Sequence, residues 1–325
     1  MSDSAGEEFR VKSRIALPAD EVRALSRISA ARSTWSIVKT VALAAACVTA
    51  ALLSRGHRLH PLVVASAIIG LAGAQHGLAV LAHEAAHYRS YQTRWLNDLA
   101  GKLCAAPLGL SMLTYRLIHR IHHNHLYEAS DPDLALMAGY PRGRGYLLRK
   151  LGKDLLGITT LKNYYYFVGK PNQSRPLDDT SPRLRAAAAR ERRFVAVATL
   201  AFLALSIYFG FWRWYLLLWF LPLVTLLQAI LRLRAILEHG AVDDKSTPLK
   251  AARTNFVPGC LYWILFPHDV HYHIEHHLYP SIPHYRLAAC HRRLRGLGIL
   301  DGAEVATLGQ VMRKVFANPR AYGPV

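Results

Sequence analysis

Four long runs of hydrophobic residues dominate the pattern of this chain. The runs cover residues 35–53, 61–82, 194–212 and 214–231. Each approaches the ~20 apolar residues that a helix needs to cross a bilayer core, and Lys39, near one end of the first run, is their one charged side chain. Aromatic residues flank the last two runs, as expected at a membrane–water interface. The pattern predicts four transmembrane helices rather than the core of a large soluble domain.

The positive charges predict the orientation of these helices. The chain has 40 Lys and Arg, 21 Asp and Glu, and a net charge of +19. Only Arg55, Arg58 and Arg213 of the basic residues lie in the two short loops on one side. Positively charged segments stay in the cytoplasm, so both termini are predicted to be cytoplasmic. The charge suits anionic lipid headgroups or an acidic electron-donor protein, whereas nucleic acid is not expected because the charge flanks membrane spans.

The same pattern predicts the domain organisation. Residues 1–34 form a cytoplasmic N-terminal segment, which carries charges and lacks the apolar region of a signal peptide. Residues 35–325 form one membrane domain, whose segments 83–193 and 232–325 lie on the cytoplasmic side. The four cysteines are scattered without a C-x-x-C motif, so neither a cysteine-ligated iron site nor a disulfide framework is indicated.

Three histidine clusters stand out among the 17 histidines of the chain. The sequences are HEAAH at 83–87, HRIHH at 119–123 and HIEHH at 273–277. Histidines at i, i+3 and i+4 project from one face of a helix. Each cluster follows an even number of predicted spans, so all three emerge on the same side and can converge. The candidate metal ligands are therefore His83, His87, His119, His122, His123, His273, His276 and His277.

His239 is a ninth candidate. It lies about two helical turns beyond the fourth predicted run, in the sequence RAILEHGA. A helix that continues from that run would carry His239 toward the three clusters. Glu238, beside it, is a candidate hydrogen-bond acceptor for a ligand ring. His76, inside the second run, is interpreted as a histidine that hydrogen-bonds a neighbouring helix, and the alternative is that it lines a substrate cavity.

Two alternatives use the same histidines differently. HEAAH alone matches the H-E-x-x-H pattern of zinc proteases, in which the glutamate is the base, but catalytic zinc takes three protein ligands and this leaves six other clustered histidines unexplained. A metal transporter is expected to carry acidic residues within its spans, and none occurs there. Both alternatives therefore account for the sequence less well than a metal site that uses all three clusters.

The three clusters, in this order, resemble the three histidine boxes of the membrane fatty acid desaturase superfamily. The segment HHNHLYEASDPDL, which starts with the last two histidines of the second cluster, and the segment HIEHHLYPSIPHYRL, which starts with the third cluster, also fit. The third box is most similar to that of acyl-lipid desaturases. The resemblance implies an all-α integral membrane protein with four transmembrane helices and a cytoplasmic helical cap that holds two irons. It assigns all nine histidines as iron ligands and makes Glu84, Glu238 and Glu275 candidate outer partners of the ligand rings.

The resemblance also implies an activity. Removing hydrogen from an unactivated methylene requires a strong oxidant, and imidazole is a suitable ligand for iron. The expected function is O2-dependent desaturation of a fatty acyl chain of a lipid, with electrons from a separate donor of the ferredoxin or cytochrome b5 type. Hydroxylation or ketolation of a carotenoid or another lipid is the alternative within the oxidoreductases, and an intramembrane zinc protease is the remote one.

Overall fold

A computed structural model describes residues 17–162 and 180–317. The described chain is mostly helical, as predicted, and also contains one pair of short strands that the sequence did not predict. The α-helices are α1 (Ala19–Leu25), α2 (Ala30–Leu53), α3 (His60–Ala86), α4 (Arg94–Ala105), α5 (Met112–Asn124), α6 (Leu134–Met137), α7 (Gly143–Leu155), α8 (Pro182–Tyr208), α9 (Trp212–Trp214), α10 (Leu221–Val224), α11 (Leu226–His239), α12 (Gly259–Leu265), α13 (His273–Leu278), α14 (His284–Gly296) and α15 (Leu308–Phe316). Residues Tyr215–Phe220 form a π-helix, and Ala106–Leu108 and Pro267–Asp269 are 3₁₀ turns.

Within residues 17–162 and 180–317, three helical runs are long and apolar enough to cross a membrane. They are α2, α3 and the run Trp212–His239, which comprises α9, the π-helix, α10 and α11. The first two correspond to the first two predicted spans. The Trp212–His239 run contains the fourth predicted span, but its helical structure continues to His239 instead of ending at residue 231.

The third predicted span, 194–212, differs more from the structure. Residues 194–208 are the second half of α8, whose first half carries the basic sequence RERR. The helix ends at Tyr208 rather than at Trp212, because the chain turns at Gly210 with a positive φ of 77°. Glycine adopts this left-handed backbone conformation without the steric cost of a Cβ atom.

Helix α3 is the central element of the described fold. It packs against α2, α4, α5, α11 and α12, and 56% of its most apolar stretch is buried, compared with 17% for α2. Its buried residues are concentrated in the second half, from Leu71 to Ala86. The second half therefore lies inside the protein, at the end where the first histidine cluster begins.

The two strands organise the C-terminal part of the chain. β1 (Arg253–Phe256) and β2 (Glu304–Thr307) are parallel, with Arg253 opposite Glu304. β1 contacts both α11 and α13. Ile274, Leu287 and Leu294 form a buried apolar cluster that joins α13 to α14. These contacts fix α13, the helix that carries the third histidine cluster.

Candidate metal centre

Four helices supply the nine predicted ligand histidines. His83 and His87 lie at the C-terminal end of α3, and His239 is the last residue of α11. The second cluster lies in the last two turns of α5, and the third cluster lies on α13. The i, i+3 and i+4 spacing within each helix points the rings of each cluster to one side.

The structure brings all nine rings together in two groups. The five-histidine group consists of His83, His87, His119, His123 and His276; the four-histidine group consists of His122, His239, His273 and His277. In each group one nitrogen per ring lies within 4.8 Å of those of the other members. The two groups in space do not coincide with the three clusters in the sequence, because α5 and α13 each contribute histidines to both groups.

Pairs of Nε2 atoms face each other inside each group. In the five-histidine group Nε2 of His119 is 2.7 Å from that of His87 and 3.0 Å from that of His123. In the four-histidine group Nε2 of His273 is 2.8 Å from that of His239 and 3.0 Å from that of His277. The Nε2 atoms of each group therefore lie close together at its centre.

The two groups adjoin each other. The rings of His123 and His277, one from each group, are stacked with centroids 4.5 Å apart. The adjacent residues His122 and His123 of α5 belong to different groups, with ring centroids 5.8 Å apart. Two ions in these groups would be close neighbours in one site.

Burial keeps most of these rings neutral. The pKa of His87 is lowered to about 4, mainly by burial and then by the charge of Arg89. Burial is also the main cause of the lowered pKa of His119, His123, His273, His276 and His277, with the neighbouring imidazoles adding to it. Burial acts in the same direction at His122, but the carboxylates of Asp133 and Asp131 outweigh it and raise the pKa of that ring.

In two of the rings, a hydrogen bond of the outward-facing Nδ1 holds Nε2 toward the centre of the group. Nδ1 of His122 is 3.0 Å from a carboxylate oxygen of Asp131, and Nδ1 of His239 is 3.2 Å from the carbonyl oxygen of Ala251. Each acceptor requires a proton on Nδ1, so a lone pair remains on the inward Nε2. Both ring nitrogens of the buried His83 lack a hydrogen-bond partner. A buried polar atom without a partner is costly, so these rings fit metal ions between them.

The three predicted outer glutamates have different surroundings. Glu238 lies 3.4 Å from Nδ1 of His273 and forms an ion pair with Arg234 at 2.7 Å. Glu84 comes no closer than 3.9 Å to the ring of His83, and its other oxygen accepts the backbone N–H of His284 at 2.9 Å. Glu275 accepts hydrogen bonds from Thr254 and His291, both at 2.6 Å, and so joins α13 to β1 and α14.

Several residues at the site were not predicted. Asp131 and Asp133 form the DPD sequence at the end of the segment HHNHLYEASDPDL, and no role was predicted for them. No role was predicted for Arg234, which lies beside Glu238 on α11 and is only slightly exposed. His76, by contrast, matches its interpretation, since its Nδ1 lies 2.7 Å from the carbonyl oxygen of Ile264 in α12.

The described cysteines take no part in the centre. Cys47, Cys104, Cys260 and Cys290 are all free thiols. Burial raises the pKa of Cys104 and of Cys290 to about 12, so both remain protonated and are poor metal ligands.

The sequence profile described as "Fatty acid desaturase" matches residues 58–305, which include all nine histidines. The chain belongs to the fatty acid desaturase family. The resemblance inferred from the three histidine boxes is thereby confirmed, and with it the prediction of an oxidoreductase of lipid metabolism. Membership of this family implies a metal site, and the two histidine groups are its candidate in this chain.

Named relatives within the desaturase family are of two kinds. The chain is 28% identical over 264 residues to the dihydrorhizobitoxine desaturase of Bradyrhizobium elkanii, covering 77% of this chain and 72% of the relative. It is 25% identical to the sn-1 oleoyl-lipid 12-desaturase of Synechocystis sp., covering 67% of this chain and 64% of the relative. It is also 25% identical to the sn-1 acyl-lipid omega-3 desaturase (ferredoxin) of Nostoc sp., covering 65% and 61%. The match thus spans less than two thirds of the length of both acyl-lipid desaturases.

Proposed function

We propose that this chain is a membrane-bound, O2-dependent di-iron oxidoreductase that introduces a double bond into an acyl chain of a lipid. The observation that carries the proposal is the convergence of nine histidines into two adjoining groups in a chain of the desaturase family. The relatives named as acyl-lipid desaturases support the choice of substrate class.

The two histidine groups would each hold one iron ion. Imidazole is a suitable ligand for iron, and the ions would supply the activation of O2 and the removal of two hydrogens from the substrate. The protein's own part is to hold nine neutral or carboxylate-paired rings in place, to keep water out and to position the acyl chain. No metal-binding role is proposed for the cysteines.

An apolar region adjoins the five-histidine group. Tyr115 stacks on His119 with ring centroids 5.7 Å apart and 3° between the ring planes. The same tyrosine packs against a buried apolar cluster that includes Leu78, Ala82 and Leu227 of α3 and α11. This region, which is continuous with two of the long apolar helices, supports an approach of an apolar substrate from the bilayer.

The proposed membrane arrangement has four spans and a cytoplasmic cap. In it, the apolar second half of α8 is the third span, beside α2, α3 and the Trp212–His239 run. The scarcity of Lys and Arg in the loops at 54–59 and 209–213 supports cytoplasmic termini. α3 and α11 then both end at the cytoplasmic face with their histidines, where a separate electron carrier of the ferredoxin or cytochrome b5 type has access.

The alternatives fit less well. A zinc protease needs Glu84 as its base, but this carboxylate is turned toward the backbone of His284, and the two histidines of HEAAH lie among three other imidazoles. A lipid hydroxylase or ketolase uses a similar centre, and the product distinguishes it: a desaturase removes two hydrogens, whereas the others add oxygen.

Metal analysis and lipid profiling together test the proposal. The chain, expressed with ample iron and purified in detergent, is expected to contain about two irons, and its host membranes are expected to contain acyl chains with a new double bond. His122→Ala and His276→Ala should each lose iron and the product. His125→Ala is the matched control, since this exposed histidine follows α5 and pairs with Glu128 at 2.8 Å outside both groups.

Two results would contradict the proposal. An oxygenated lipid in place of a new double bond would identify a hydroxylase or ketolase. One zinc per chain, with no iron bound even after reconstitution with ferrous iron, would favour the protease.

A further inference from the structure

The two histidine groups differ in what surrounds their rings. In the four-histidine group the outward nitrogen of His122 donates to Asp131, and that of His273 lies 3.4 Å from Glu238. A second carboxylate, that of Asp133, is 3.5 Å from His122. Among the described residues, no carboxylate lies within hydrogen-bonding distance of any ring of the five-histidine group, and Glu84, at 3.9 Å from His83, comes nearest.

Asp131 is a buried anion without a cationic partner of its own. Its side chain is fully buried, and no lysine or arginine of the described chain forms an ion pair with it. Glu238, by contrast, is already paired with Arg234. A buried carboxylate is costly unless a positive charge compensates it. Among the described residues, the nearest group that can carry or transmit positive charge to Asp131 is the ring of His122, which joins it to the four-histidine group.

The chain holds Asp131 in place with backbone groups. Its carboxylate accepts the N–H of Tyr127 and the N–H of Asp133, both at 2.9 Å, in addition to Nδ1 of His122. Tyr127 has a positive φ of 67°, a strained conformation for a bulky residue. This turn folds the loop after α5 back onto the site.

Tyr127 also connects this loop to a second ligand. Its hydroxyl donates to the carbonyl oxygen of Ala251 at 2.7 Å, and that oxygen also lies 3.2 Å from Nδ1 of His239. The orientation of two of the four rings in this group therefore depends on one preformed turn. Tyr88, directly after His87 of the five-histidine group, also has a positive φ of 58°, but among the described residues no carboxylate hydrogen-bonds a ring of that group.

We propose that Asp131 is a positioning residue that makes the two ion sites inequivalent. It fixes His122 with Nε2 inward and lends the ring negative charge, so the ion in the four-histidine group depends on this carboxylate. The ion in the five-histidine group does not. The inference rests on the proposed function, because it requires two ions in one chain.

Chelator competition on the iron-loaded full chain tests this inference. The wild-type protein and Asp131→Asn are incubated with rising concentrations of a ferrous chelator, and the iron retained per chain is measured. Loss of an outer hydrogen-bond partner typically weakens metal binding by about 10- to 100-fold. In Asp131→Asn we expect one of the two irons to be released at about 10- to 100-fold lower chelator concentration, and the other to be retained as in the wild type.

Mössbauer spectra of the ⁵⁷Fe-loaded proteins give a readout that is independent of activity. One of the two iron signals should change in Asp131→Asn and the other should not. Glu128→Gln is the matched control, because Glu128 forms the same kind of histidine–carboxylate pair with His125 on the exposed surface; it should match the wild type in both measurements. Asp131→Glu, which keeps the charge, should recover part of the lost affinity.

Several outcomes would overturn the inference. Equal weakening of both irons, or no change of either, would show that Asp131 does not distinguish the two sites. If Asp131→Asn fails to fold, Asp133→Asn takes its place and is expected to show a smaller selective loss of one iron. If Asp133→Asn shows no selective loss, the inference is overturned as well. A wild-type chain that binds fewer than two irons overturns the proposed function and this inference with it.

Discussion

Helices α3 and α11 each end in ligand histidines, but they are held in different ways. α3 is unbroken from His60 to Ala86, and its ligand end is enclosed by small, closely packed residues. The run that ends in α11 is interrupted by the π-helix at Tyr215–Phe220 and by a non-helical residue at Thr225. The C-terminal end of α3 has polar contacts too, since Asn97 and Arg116 donate to the carbonyl oxygen of Ala85 at 2.9 and 3.0 Å, but the end of α11 has more of them.

Buried arginines supply those polar contacts. Arg232 forms an ion pair with Asp154 of α7, and Arg234 pairs with Glu238 within α11. Arg253 donates to the carbonyl oxygens of Leu237 at 2.9 Å and Gly240 at 3.0 Å, next to His239. The regular helix α3 is positioned mainly by close packing, whereas the interrupted run has a denser set of polar partners at its end. Helix breaks of this kind are common at functional sites.

Replacing Arg253 by methionine should have the largest effect on the α11 side. Its side chain is fully buried and also pairs with Glu304 at 2.7 Å. Its removal breaks a buried ion pair and takes one donor from the carbonyl oxygens of Leu237 and Gly240. Breaking a buried ion pair typically costs about 3–5 kcal/mol in the free energy of unfolding. Thermal unfolding in detergent and iron content measure the result, and the iron of the four-histidine group should be lost first.

Arg293→Met is the control for this change. Arg293 forms a bidentate ion pair with Glu21 on the exposed surface, and such pairs contribute about 0–1 kcal/mol. If both variants lose the same amount of stability, the hydrogen bonds of Arg253 to the end of α11 contribute no more than an exposed ion pair.

A methyl group added at Gly101 should disturb the α3 side. A Cβ atom there would lie 2.8 Å from Cβ of Ala85 and 2.8 Å from the sulfur of Met112. Overpacking of this kind costs about 1–3 kcal/mol. Gly101→Ala is therefore expected to lower the unfolding temperature and to weaken iron binding, because Ala85 lies between His83 and His87.

Gly152→Ala tests whether this effect is steric. Gly152 lies in helix α7 with no atom near the position of an added Cβ. Because alanine is about 0.5–1 kcal/mol better than glycine within a helix, this variant should be slightly stabilised. The same substitution should thus change stability in opposite directions at the two sites, and a loss at both would contradict the packing argument.

Gln75→Leu should have the smallest effect, at the point where the two helices are connected. Gln75 of α3 donates to the carbonyl oxygen of Trp219 in the π-helix at 2.7 Å. Hydrogen bonds between membrane helices contribute about 0.6 kcal/mol on average. We expect a loss near that value, measured by unfolding in detergent, and unchanged iron content. A loss of several kcal/mol would mean that α3 stabilises the interrupted run directly.

The ligand histidines were predictable because helical spacing alone places them. The i, i+3 and i+4 pattern predicted the faces of α3, α5 and α13, and the continuation of the fourth apolar run predicted His239. Asp131 was not predictable in its role, because its contact with His122 depends on a strained turn at Tyr127 rather than on a period. The contact of Arg232 with Asp154 was not predictable either, because it joins two helices that lie far apart in the sequence.

The positions of the ligands along the chain also determine when, during translation, the histidine groups can be completed. Both histidine groups include residues of α13, which is translated after every long apolar helix. Neither group can be complete on a nascent chain that ends before His273. Completion of either group must therefore follow translation of the long apolar helices of the described chain, and a prematurely terminated product that ends before α13 would lack ligands in both groups at once.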